Sequence, residues 1–137
     1  MSINLRVSKL IAIISFLLIS GIQENGVPIF ALLLIYLYQF LNDLFSGVSP
    51  IFWEGLIIIP VLSLLILFLI SKNYRILLGC FVVLFAFLVY FTGLVGNYHR
   101  INAVFVIPLL LFLLSSVYAI ILTKKAMPWY CNYENSN

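Results

Sequence analysis

Hydrophobic positions along this chain come in long unbroken runs, and the polar positions gather between them. No Asp, Glu, Lys or Arg occurs within 10–23, 25–42, 55–71, 76–99 or 101–123. A helix needs roughly 20 mostly apolar residues to cross a bilayer. Ile51–Ser71, Ile76–Gly96 and Ile101–Thr123 meet that length. Each predicts a helix, because an isolated apolar run satisfies its backbone in lipid only by bonding within itself. A transmembrane β-barrel needs alternating strands of about 10 residues, and these runs do not alternate.

The first 45 residues are less regular. Leu10–Ile22 is short, yet it spans if Lys9 snorkels to one interface and Gln23 sits at the other, giving a helix over about 7–23. Its basic lead-in, Arg6 and Lys9, gives it the look of a signal peptide. Leu18, two places before the small residue Ser20, is a poor cleavage match, so the segment reads as an uncleaved signal anchor. Pro28–Phe45 is long enough to span, but Tyr36, Gln39 and Asp43 share one face near its end, with Asn42 beside them. That pattern predicts a helix at the interface, or a re-entrant one.

Charge placement separates the arrangements. Lys and Arg accumulate in short cytoplasmic loops. With five spans the seven basic residues divide three against four, whichever way the chain starts. With four spans and 28–45 not crossing, Arg6, Lys9, Lys72, Arg75, Lys124 and Lys125 share the inner side and Arg100 stands alone outside. The expected fold is therefore an all-α integral membrane protein: four antiparallel transmembrane helices plus one interfacial or re-entrant helix. Five transmembrane helices are the alternative. The whole chain forms one transmembrane domain, and 124–137 is a polar tail on the cytoplasmic side.

Composition agrees. Of 137 residues, 65% are hydrophobic and 8% charged, against about 25% charged in an ordinary globular domain. A water-soluble surface and a disordered chain are both excluded. The style is that of small bacterial inner-membrane proteins. The surroundings expected are the lipid bilayer and a membrane-protein partner or a second copy, with no nucleic acid.

Small residues suggest how the helices meet, since lipid-embedded helices associate by close packing. Gly79, Ala86 and Gly93 recur every seven residues, and Ser115, Ala119 and Thr123 every four. If Asn97–Arg100 joins the last two helices as a tight hairpin, Gly79 falls near Ala119 and Gly93 near Ala103. Pro60 is expected to kink its helix.

Candidate chemistry is sparse. No ionisable residue lies at mid-depth, which argues against a proton-coupled pump or an ion channel made from one chain. In the four-span arrangement Glu24, Asp43, Glu54, His99 and Arg100 collect at the outer rim, with Trp53, Asn97 and Tyr98. Such a cluster could bind a headgroup, dock a partner or perform acid–base chemistry through His99 and a carboxylate. It could also simply pair Glu54 or Asp43 with Arg100 and hold the interfacial helix down. No nucleotide, zinc or serine-nucleophile motif occurs, and one His cannot make a bis-His haem or a multi-His metal site. No cofactor is expected.

Three functional classes follow. The leading one is a non-enzymatic protein acting by helix contact, either an accessory subunit of a membrane complex or an immunity factor against a pore-forming toxin. The second is a small transporter component, with Ser63, Tyr90, Thr92, Ser115 and Ser116 as its polar path. The third is a lipid-active enzyme using His99 and Glu54.

Overall fold

A computed structural model describes residues 3–22, 26–47 and 52–126, apart from the side chain of Arg100. These are helical: α1 (Ile3–Leu18), α2 (Ile29–Ser46), α3 (Ile58–Ile70), α4 (Tyr74–Thr92) and α5 (Ala103–Ala126), with a 3-10 turn at Trp53–Ile57 leading into α3. Four stretches are long and apolar enough to cross a membrane: Ile29–Ser46, Trp53–Ile70, Tyr74–Thr92 and Ala103–Ala126. The chain thus has the features of a multi-pass membrane protein. At 16 described residues α1 is about 24 Å long, near the lower limit for a span.

Helix ends follow local chemistry. α1 stops at Leu18, short of the expected Gln23, because the chain turns back through Gly21 and Gly26. Gly26 takes a positive φ, and Ser20 and Pro28 pair across the turn. α4 starts at Tyr74, where the Asn73 side chain caps it by accepting from the Arg75 amide at 3.0 Å. It ends at Thr92, and Gly93 is its left-handed C-cap. Pro60 falls in the first turn of α3, where its missing amide costs no bond. Pro108 is the proline inside a helix, in α5.

α5 packs most extensively along α1, and the two run antiparallel. The Ser8 hydroxyl donates to the Ser115 carbonyl at 2.8 Å, and the Phe16 and Phe112 rings lie 5.5 Å apart. Phe112 also meets Phe81 of α4 at 5.7 Å, so one ring joins three helices. α4 buries Leu77, Cys80, Leu84, Leu88 and Phe91, spaced by threes and fours. α3 packs along α4 and buries Val61, Leu65 and Phe68.

These pairings fix the two ends of the bundle. Lys9 in α1 donates to the carbonyls of Leu69 and Ser71, placing the start of α1 beside the end of α3. Arg6, Lys9, Lys72, Arg75, Lys124 and Lys125 therefore share one end, here the basic end. At the far end the Ile22 amide donates to the Thr92 carbonyl at 3.1 Å, joining the turn after α1 to the end of α4.

The contacts of α2 gather at that far end. Its first amide, Ile29, donates to the Ile19 carbonyl at 2.9 Å. Halfway along, the Tyr36 ring lies 5.4 Å from Phe52 and 6.3 Å from Phe91. Near its end, Asp43 accepts from the Phe52 amide at 3.2 Å. Only Ile29 and Leu33 of α2 are buried.

Candidate functional site

The rim residues read from the sequence divide into those the structure brings together and those it does not. Asp43 and Glu54 both lie at the joint between α2 and the 3-10 turn. That joint forms because Gly55 lets the chains cross closely. A Cβ there would collide with the Phe40 side chain and the Tyr36 carbonyl. Around the crossing, Phe40 meets Trp53 at 6.1 Å and Tyr36 meets Phe52 edge-on, arrangements favoured by aromatic quadrupoles. Asp43 uses its carboxylate on the Phe52 backbone, so it pins the end of α2. Glu54 is exposed.

His99 sits on the separate turn Tyr98–Arg100, exposed, with its ring 3.7 Å from that of Tyr98. Among the described residues no hydrogen bond joins it to either carboxylate, and no three of His, Cys, Asp and Glu are grouped to hold a metal ion. Glu24 and the Arg100 side chain lie outside the described residues. The tie expected between an acid and Arg100 therefore lies outside the described residues, and within them Asp43 accepts from a backbone amide. The arrangement positions α2. Among the described residues it does not display a general acid beside a general base.

The small-residue faces differ from the expected hairpin. Gly79 is exposed, and a Cβ on it would meet nothing within 4 Å. Ala86, one heptad on, is exposed and lines a surface groove of about 300 Å³ with Ile57, Val83, Phe87 and Tyr90. Gly93 lies beyond the helix as its cap. Ala119 is fully buried, so it does not face Gly79. The reason is periodicity: Leu77, Cys80, Leu84 and Leu88 take the inward face of α4, and Gly79 and Ala86 lie nearly opposite. Ser8, Ala12 and Ser15 of α1 are buried, as are Ser116, Ala119 and Thr123 of α5. Small residues do line the helices that meet, and α1 stands where α4 was expected.

The proposed polar path is largely closed. Ser63, Thr92 and Thr123 donate to their own helix at Ile59, Leu88 and Ala119, each at 2.8 Å, and Ser115 donates to Leu111. Ser116 is fully buried, and its hydroxyl has no partner among the described residues. The bonded hydroxyls of Ser63, Thr92, Ser115 and Thr123, spent on their own backbones, offer little to a passing solute.

Sequence reasoning missed two functional geometries. Gly55 lies unmarked inside the run Ile51–Ser71 until α2 is seen crossing it. Lys9 reads as a snorkelling residue, yet it is fully buried. Comparison with protein-family models, with curated proteins and with solved structures gives no match for this chain.

Proposed function

We propose that this chain is a non-enzymatic integral membrane protein of the inner membrane that acts by helix contact, as an accessory subunit or an immunity factor within the bilayer. The observation that carries the reading is the face of α4 that the described residues leave uncovered. Gly79 and Ala86 lie two turns apart on it, with open space at Gly79 and a groove at Ala86. A face of this kind lets a second helix approach closely. The self-bonded hydroxyls and the absence of a mid-depth charge favour contact over transport. Among the described residues His99 makes no hydrogen bond to Asp43 or Glu54, which disfavours the enzyme.

In this reading the basic end is cytoplasmic, with the tail, and α2 rests on the outer interface across the far end of a four-span bundle. Two observations support that placement: both ends of α2 bond at the far end, and six of the seven basic residues lie at the other. Ala86→Cys in native membranes tests the contact. Crosslinking to a partner or to a second copy is expected, and Gly79→Leu should abolish it while leaving thermal stability unchanged. A chain that stays monomeric in lipid and in mild detergent overturns the reading.

A further inference from the structure

A hollow larger than the groove at Ala86 lies elsewhere, between α1 and α5 at the basic end. It is a groove of about 610 Å³, lined by Asn4, Val7, Ser8 and Ile11 on one helix and Leu111, Leu114, Ser115 and Tyr118 on the other. Val7, Ile11, Leu111, Leu114 and Tyr118 are exposed, so it opens to the bundle's outer surface. Its polar floor is already satisfied. Ser8 donates to the Ser115 carbonyl, and the Ser115 hydroxyl donates to Leu111. A partner helix would find no hydrogen bond to make on that floor, and a hydrocarbon chain asks for none.

Charge selects the kind of chain. Arg6, Lys72, Arg75, Lys124 and Lys125 are exposed at this end. Asp43 and Glu54, the described acids, belong to the far end. Lys125 follows Tyr118 by two turns and so continues the groove face of α5 toward the headgroup level. Asn4 and Tyr118 supply polar groups between the apolar lining and Lys125. The order along the groove is cation, polar pair, then apolar wall, about 21 Å from Lys125 to Leu111 along α5.

We propose that this groove binds an anionic phospholipid: its phosphate at Lys125, its ester region at Asn4 and Tyr118, and one acyl chain along Val7, Ile11, Leu111 and Leu114. A zwitterionic lipid has the same chains but lacks the net charge that the basic end attracts.

The test uses the full chain in nanodiscs or detergent, with phosphatidylglycerol and phosphatidylcholine of identical chains as probes and native mass spectrometry as the readout. Phosphatidylglycerol should be retained preferentially. Lys125→Gln should lower its affinity roughly fivefold, whereas the double change Lys72→Gln and Arg75→Gln, at the same end but off the groove, should change it little. Leu114→Trp, which fills the groove from an exposed position, should weaken both lipids without lowering the melting temperature. Equal retention of the two lipids overturns the proposal. So does an equal loss from the Lys72 and Arg75 changes, which would mean diffuse attraction, or occupation of the groove by a second copy or another protein.

Discussion

The ammonium of Lys9 donates to the carbonyl of Ser71 at 2.5 Å and to that of Leu69 at 3.2 Å, so a charge on α1 caps the C-terminus of α3. The last carbonyls of a helix have no partner within it and carry partial negative charge. Burying an ammonium costs free energy unless it is paired, and these carbonyls supply the pairing. Lys9→Met keeps the chain length but leaves the carbonyls bare. It should destabilise the protein by about 1–3 kcal/mol, measured as a fall in unfolding free energy or melting temperature in detergent. An unchanged transition would show that the cap is dispensable.

Gly55 and Phe40 mark the second joint. Gly55→Ala places a methyl against Phe40 and the Tyr36 carbonyl, so α2 must lift away from the 3-10 turn. The cost should be about 1–3 kcal/mol, as for overpacking elsewhere. A spin label at Tyr38, an exposed position on α2, should become more mobile in the variant. An immobile label would mean that the crossing tolerates a side chain.

Ser63 tests the transport class directly. Its hydroxyl is bonded to Ile59 on an exposed face of α3, which in a bilayer looks onto lipid. Ser63→Cys should resist hydrophilic thiol reagents and should react only with membrane-soluble ones. Rapid labelling by a charged reagent would restore a polar path.

How much of this was legible in the sequence depends on the kind of information. The long apolar runs and their helical state could be read directly, because lipid leaves an isolated run no other way to satisfy its backbone. The position of Asp43 near the end of α2 was legible as a polar face, though its bond to Phe52 was not. Partner choice was not legible. A short connection between α4 and α5 suggested that their small residues meet, but which helices close a bundle depends on all five at once. The buried face of α4, from Leu77 to Phe91, could have been separated from Gly79 and Ala86 by its spacing alone. In a run that is apolar all round, however, nothing marks one face as inward. By sequence Lys9 is a snorkelling residue, the usual behaviour of a basic residue near a span end. Its burial follows from the nearness of the end of α3, which the sequence does not display.

The placement of α2 makes the sharpest prediction. Composition alone counts Ile29–Ser46 among the possible spans, whereas its bonds gather at the end opposite the basic residues. A spanning α2 would carry Ser46 toward the level of Lys72, about 26 Å from Ile29 at 1.5 Å per residue. An α2 lying across the far end keeps Ser46 level with Tyr98. Single cysteines at Ser46, Lys72 and Tyr98, in a chain whose Cys80 and Cys131 are replaced, distinguish the two with a membrane-impermeant maleimide on intact cells. Ser46→Cys and Tyr98→Cys should label from outside, and Lys72→Cys only after permeabilisation. If Ser46→Cys instead labels together with Lys72→Cys, α2 crosses the membrane. The six-to-one separation of basic residues would then be broken, and the bonds from Ile29 to Ile19 and from Asp43 to Phe52 could not both persist in the bilayer.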